Sequence, residues 1–313
     1  MDKAVKKRKL HEDNGDQIIR VVIIGAGCIG LSAAHYLAKM NKTEDHKVFE
    51  ITIVASNFLS QTTSFGSAGY WMPYEISGTS PTKINEWGAD SYNHFLTLLN
   101  SKDACRMGIQ MMESYQLYEQ CSDFIDPTWN KIVMNYRRLG NNDVKQLLLP
   151  SDKYKGGFAF TTLVVDQKYY LKYMTDELVK YGIKFEQRSV INLTEFSDYD
   201  VVINCCGLNG DNVSKSNLND LTESIISTSN DQFINKSFPI RGQVLRVKAP
   251  WIRSVWGFGT SYIIPNMDNV VLGGTAQKGD HNTNCSLSDS EKIMSNICEL
   301  FPSLADATLV SCY

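Results

Sequence analysis

The sequence predicts an α/β fold in which a Rossmann-like dinucleotide-binding domain is interleaved with a second α+β domain built on a mixed sheet. Three observations predict it. A β-branched run, Val21-Val22-Ile23-Ile24, is broken by Gly25-Ala26-Gly27-Cys28-Ile29-Gly30 and followed by helix-forming Leu31 to Leu37, which reads as strand, turn and helix. Strand-like runs at Phe158 to Leu163, Ile183 to Val190 and Val201 to Asn204 alternate with the helical stretch Lys168 to Tyr181, the pattern of a parallel sheet joined by right-handed crossovers. A polar, aromatic region from Tyr74 to Pro150 interrupts that alternation and belongs to the second domain.

In chain order, residues 1–17 form a charged, mobile tail without the apolar run a secretory signal requires. Its Lys6-Lys7-Arg8-Lys9 cluster reads as solvated charge. The dinucleotide domain takes residues 18–75 and 152–218, and the second domain takes 76–151 and 219–313, with strands at Gln243 to Lys248 and Asn269 to Gly274. Val21 to Ala38 carries no charged side chain, but the glycine break excludes a membrane helix there. With 31 Lys+Arg against 34 Asp+Glu, the net charge of -3 gives no general attraction to nucleic acid or an anionic membrane. The 8 cysteines include no CxxC pair, so reduced, buried thiols are expected, with neither a disulfide framework nor a metal site.

Gly25, Gly27 and Gly30 form GxGxxG between strand and helix, where each glycine has a physical task. The first permits the tight turn, the second lets backbone approach a pyrophosphate, and the third lets the helix pack close to the strand. Free amides at the helix start, including those of Ala26 and Ile29, face the phosphates. The second strand, Phe49 to Val54, ends at Ala55-Ser56-Asn57, so Ser56 and Asn57 stand where an acidic residue usually accepts from the adenosine ribose. Asn41 to Lys47 form a polar connection that lengthens the usual spacing.

Further segments carry a resemblance: Thr62-Thr63-Ser64 leading to Ala68-Gly69 and Pro73; Gly157 to Leu163; Val201 to Leu208; Arg241-Gly242-Gln243-Val244 running to Ala249-Pro250-Trp251; and Tyr262-Ile263-Ile264-Pro265 followed by Leu272 to Asp280. Together with the glycine turn they resemble the D-amino-acid oxidase family, over roughly residues 18 to 313, and the last segment is most similar to its D-aspartate-active branch. The resemblance implies a noncovalent FAD and oxidation of a D-amino acid, preferably D-aspartate or D-glutamate, by oxygen to a 2-oxo acid, ammonia and hydrogen peroxide; the alternatives are a noncatalytic truncated relative of this fold and an oxidase of neutral D-amino acids. It also implies a peroxisomal setting, and a homo-oligomer is compatible with it. No acid or base residue is demanded when the substrate amine binds neutral, so no catalytic side chain is named.

The same resemblance assigns residues. Thr62, Thr63 and Ser64 offer hydroxyls and amides to phosphate or ribityl oxygens, and Ala68, Gly69 and Tyr70 run along the flavin. Val190, Cys206 and Gly207 approach the dinucleotide, while alternation sends Cys205 and Cys206 to opposite faces. Tyr262 matches a tyrosine that donates to the substrate carboxylate; Phe258 falls near a second active-site tyrosine but lacks its hydroxyl, and Tyr74 stands where some D-aspartate oxidases have histidine. Family members continue past the position of Tyr313 with a Gly-x-Arg-Pro-x-Arg segment whose first arginine grips the substrate carboxylate; this chain stops short of it, and of a peroxisomal C-terminal tripeptide.

Overall fold

A computed structural model of the chain describes residues 18–43, 48–74, 76, 78–122, 124–210, 213 and 238–313. The tail expected at 1–17, part of the 41–47 connection and residues 219–237 of the second domain lie outside the described residues. Strand β1 (Ile19–Ile24) leads into helix α1 (Cys28–Thr43) and strand β2 (Phe49–Ala55). A helical turn, α2 (Thr63–Gly66), precedes the long helix α3 (Pro81–Leu99), which starts at an N-cap Ser80 that accepts from the Lys83 amide and has Pro81 in its first turn. Strands β3 (Ile109–Tyr118), β4 (Met134–Leu139) and β5 (Gly156–Val165) follow. Next come helix α4 (Gln167–Lys180), strands β6 (Lys184–Gln187) and β7 (Val201–Asn204), and the short β8 (Ile240–Arg241) and β9 (Leu245–Lys248). Strands β10 (Val255–Phe258), β11 (Ser261–Pro265), β12 (Val270–Gly273) and β13 (Gln277–Lys278), helix α5 (Leu287–Leu300) and strand β14 (Thr308–Cys312) complete the described chain.

Two sheets organise these elements. The first is parallel, in the order β6-β2-β1-β7. Its period-2 side chains divide between two cores: Val21 and Ile23 pack with α1 and α4, while Val22, Ile24 and Val54 pack with Phe196 on the opposite face. Both faces of the central strands β1 and β2 are covered, so these two are largely apolar, whereas the bordering β6 and β7 are mostly exposed. The second sheet is mixed and has eight strands in the order β14-β9-β12-β11-β10-β3-β5-β4, with β10 and β3 parallel and the other pairs antiparallel. Helix α5 covers one face through Ile293, Ile297 and Leu300. Val164, Val244, Ile264 and Val271 line the other and meet the 68–70 loop.

The mixed α/β architecture agrees with the sequence reading, with one reassignment and several shorter strands. Phe158 to Leu163 does not join the parallel sheet; as part of β5 it lies between β3 and β4 in the mixed sheet, antiparallel to both. Its near-continuous apolar composition reflects burial on both faces, a condition that a run of apolar residues satisfies in either kind of sheet. The Ile183 to Val190 strand narrows to Lys184–Gln187 because the chain turns away after the Arg188 amide bonds the Ala55 carbonyl. No helix among the described residues is long and apolar enough to cross a membrane.

The cysteine expectation requires correction. Cys285 and Cys312 form a disulfide, with Cα atoms 6.3 Å apart, because β14 returns along β9 and brings its end beside the segment that starts α5. Spacing alone could not reveal a pair separated by 27 residues. Cys105 and Cys121 are exposed, so uniform thiol burial also fails. A bridge closing a loop of this size stabilises by about 3–4 kcal/mol through the unfolded chain. The variant Cys285→Ser is therefore expected to melt several degrees below the oxidised parent, with the gap vanishing when both are measured in reductant.

Candidate functional site

The carboxyl edge of the parallel sheet gathers the segments singled out in the sequence. The Gly25 amide bonds the Val54 carbonyl at 2.8 Å, and the Cys205 amide bonds the Ile24 carbonyl at 2.8 Å, so the glycine turn is tied to both flanking strands. Gly25 has φ 115°, a conformation costly for any side-chain-bearing residue, and its missing Cβ leaves room for the Cys205 carbonyl. Buried Gly30 packs against the Gly25 carbonyl, the close helix-to-turn approach that the third glycine of the motif permits. Ala26 is buried beneath the turn.

The hydroxyl segment meets this turn directly. Ser64 Oγ accepts from the Cys28 amide at 3.0 Å, and a Cβ on Gly27 would lie 2.9 Å from the same oxygen. Thr62 donates its hydroxyl to the Leu59 carbonyl, and Thr63 is exposed on α2. Thus the polar turn expected at 62–64 is a single helical turn with one hydroxyl already engaged at the α1 amino terminus. Among the described residues, no hydrogen bond reaches the amides of Ala26, Gly27, Ile29 or Gly30.

The remaining cofactor candidates fall around the same edge. Ser56 and Asn57 are exposed at the end of β2, where Gln187 donates to the Ser56 carbonyl. Val190 packs with Cys206 on the sheet face formed by Val22, Ile24 and Val54, whereas Cys205 packs on the α1 side, as strand alternation requires. Burial raises both thiol pKa values, which favours the neutral form. Gly207, with φ 57°, opens onto space. Ile29 and Leu208 beside the crevice are strongly exposed for apolar side chains.

The loop after α2 crosses from this edge to the mixed sheet. Gly69 has φ 71° and lies so close to the Val165 carbonyl that a Cβ would collide with it. Tyr70 bridges to Val164, and its hydroxyl is hydrogen-bonded to Ser114 at 2.7 Å and accepts from Gln116 at 3.1 Å. Burial of its phenol drives its pKa upward, so Tyr70 is a neutral anchor. Ala68, Tyr70 and Tyr262 all pack against the same apolar cluster of Val164, Val244, Val255, Ile264 and Val271.

Tyr262 lies in β11 opposite Gly257 on one side and Gly273 on the other. Missing side chains at Gly273 and Gly274 make room for its ring, since a Cβ on Gly274 would stand 2.6 Å from it. Burial raises the phenol pKa, with Tyr74 adding to the rise and Arg246 opposing it. Tyr74, itself exposed, therefore lies within electrostatic reach of Tyr262. Phe258 does not join them: it is 4% exposed on the opposite face of the sheet, against Tyr154 and Phe301. The connection between β10 and β11 is the tight turn at Gly259-Thr260.

Sequence reasoning left Arg246 without a role, yet it is a prominent polar element on this face. It is 5% exposed, and its guanidinium lies 5.3 Å from the Tyr313 ring. Its signal was an arginine in the otherwise apolar run Val244-Leu245-Arg246-Val247, at a position whose alternation with Val244 points it inward.

A dinucleotide fits this arrangement by its donor set. Four unpartnered amides surround a turn that cannot accept side chains at Gly25 and Gly30, and apolar Ile29 and Leu208 flank it. A family model described as "FAD dependent oxidoreductase" matches residues 20–313. Human D-aspartate oxidase is 30% identical over 291 residues, covering 92% of this chain and 77% of that protein. The D-amino-acid oxidase of Dictyostelium discoideum is 28% identical over 292 residues, covering 92% of this chain and 74% of the relative. Among solved structures, glycine oxidase from Bacillus cereus superposes with a TM-score of 0.71 at 17% identity, covering 94% of this chain and 81% of that one. L-alpha-glycerophosphate oxidase from Mycoplasma pneumoniae, solved with FAD bound, superposes with a TM-score of 0.66 at 14% identity, covering 95% and 82%.

Proposed function

Because the chain belongs to the FAD dependent oxidoreductase family, we propose that it catalyses oxidative deamination of D-amino acids, with D-aspartate and D-glutamate preferred. The balanced reaction takes D-amino acid, oxygen and water to 2-oxo acid, ammonia and hydrogen peroxide. The observation that carries the reading is the placement of Tyr262, neutral and half-buried, on the sheet face that meets the loop from the glycine crevice. FAD, when bound, supplies the two-electron acceptor for the amino acid and passes those electrons to oxygen.

The chain's own residues do the rest. The amides at the start of α1 and the hydroxyls of Thr63 and Ser64 hold the diphosphate, while Ser56 and Asn57 offer neutral hydrogen bonds to the adenosine ribose. The loop Ala68-Gly69-Tyr70 provides a flat wall for the ring system, with Val190, Cys206 and Gly207 bounding the other side of the crevice. Tyr262 donates its hydroxyl to the substrate carboxylate, and Tyr74 lies within electrostatic reach of it; Phe258 acts only through packing.

Purified chain supplied with FAD should release peroxide from D-aspartate, detected by a peroxidase-coupled dye. Protein that stays colourless and flavin-free in the same conditions overturns the reading. Neutral D-amino acids are the second reading, favoured by the similar identity to a D-amino-acid oxidase; a higher kcat/KM for D-alanine than for D-aspartate would select it. The Tyr262→Phe variant should retain its fold and lose about 1.5–3 kcal/mol of carboxylate binding, a roughly 10- to 150-fold rise in KM. Because the folded-state pKa of Tyr262 is raised, its protonated form is the one favoured on folding. Its donor function should therefore persist through the ordinary tyrosine pKa of about 10 and fade only above it, whereas the Tyr262→Phe variant should show no such alkaline limb in KM.

A further inference from the structure

We propose that Arg246 is a positioning residue that fixes the 65–69 loop so that its free amides face the flavin; this role rests on the FAD reading above. The geometry is specific. Arg246 Nη2 donates to the Phe65 carbonyl at 3.1 Å, the Gly66 carbonyl at 3.4 Å and the Ser67 carbonyl at 3.1 Å. The next carbonyl, Ala68, accepts from Asn266 Nδ2 at 3.0 Å, and Asn266 Oδ1 in turn accepts from Arg246 Nη1 at 2.9 Å. Four successive carbonyls are thus drawn toward β9 and the turn between β11 and β12.

Peptide planarity makes the consequence unavoidable, because each carbonyl opposes the amide of the following residue. The amides of Ala68 and Gly69 then point away from the mixed sheet, and neither has a partner among the described residues. The Ser67 amide is retained within the loop by the Ser64 carbonyl, and the Gly66 amide belongs to the helical turn α2. Such an outward pair is suited to the electron-rich oxygens and nitrogens of an isoalloxazine or its ribityl chain.

The network is anchored beneath the loop as well. Arg246 Nη1 also bonds Asn269 Oδ1 at 3.2 Å, and buried Asp166 accepts from the Met267 amide at 3.2 Å, holding the turn that carries Asn266. Among the described residues Arg246 Nε has no hydrogen-bond partner; the guanidinium is held by carbonyl and amide oxygens, and buried Asp166 supplies the nearby negative charge. Lysine keeps the charge but not the planar fork that reaches several acceptors at once.

The test compares parent, Arg246→Lys and Asn266→Ala proteins by hydrogen exchange in the FAD-free state and by FAD titration. Both variants should exchange the hydrogen-bonded Phe65, Gly66 and Ser67 amides at least tenfold faster, bind FAD at least tenfold more weakly, and alter the fine structure of the bound-flavin absorption band. The α1 and β5 amides should exchange as in the parent, which separates loop positioning from general destabilisation. Unchanged loop exchange, or FAD affinity within twofold of the parent, overturns the proposal. So does faster exchange spread evenly over the protein. If the parent itself takes up no FAD, the flavin reading fails, while unchanged loop exchange in the FAD-free variants would separately refute the hold of Arg246 on the loop.

Discussion

Replacing Gly30 with valine is expected to weaken FAD uptake severely and to destabilise the parallel-sheet half of the molecule. Any Cβ at this position collides with the Gly25 carbonyl and approaches Cys205 Cβ to 3.4 Å, and both neighbours belong to segments tied into the sheet. Neither can yield as a flexible side-chain tip could. Displacing α1 relieves the clash but separates its amino-terminal amides from the crevice. Overpacking costs about 1–3 kcal/mol and occasionally more, and a clash with backbone that cannot yield belongs at the upper end, which corresponds to roughly a hundredfold loss of ligand affinity where binding requires the native turn. Thermal melting and flavin fluorescence quenching measured on the same preparation check the result. A variant that melts with the parent and binds FAD within tenfold of it would contradict this account of the turn.

The second large effect is expected at Phe160→Ala. Phe160 is fully buried in β5 and touches Trp129, Phe158 and Tyr70. Removing its ring should cost about 3–5 kcal/mol, a substantial share of the roughly 5–15 kcal/mol that stabilises a typical protein. The damage should reach the site because Tyr70 leans on this ring while its hydroxyl is held by Ser114 and Gln116. Denaturant unfolding should show the lower stability. Activity measured well below the new melting point should fall more than it does for Phe258→Leu, whose neighbours Tyr154 and Phe301 lie on the other side of the sheet.

Local backbone demands made the glycine turn legible in the sequence. The strand Val21 to Ile24, the turn at Gly25 and the helix after it each carry their own pattern, and β1 and α1 fall where that pattern places them. Sheet membership was less legible: Phe158 to Leu163 is apolar because both sides of β5 are covered, and composition cannot say which partners cover it. The convergence of Ser64 on Cys28 depends on tertiary placement across 36 residues, and the Cys285–Cys312 bridge depends on the return of β14. Phe258 illustrates the limit of motif position, since one residue along a strand exchanges the site face for the core. Arg246 was visible as an anomaly in an apolar strand, but its acceptors come from a loop about 180 residues earlier.

The parallel pairing of β10 with β3 has a consequence for biosynthesis. Ser114 aligns with Val255 and Leu117 with Phe258, so the centre of the eight-stranded sheet joins segments separated by more than a hundred positions. During translation, the three-stranded β3-β5-β4 unit can form early but leaves one border of β3 waiting for a strand that has not yet left the ribosome. High contact order slows such closure, and the exposed border is open to pairing with other nascent chains. Maturation should consequently depend on chaperone capacity, with yield rising when synthesis is slowed.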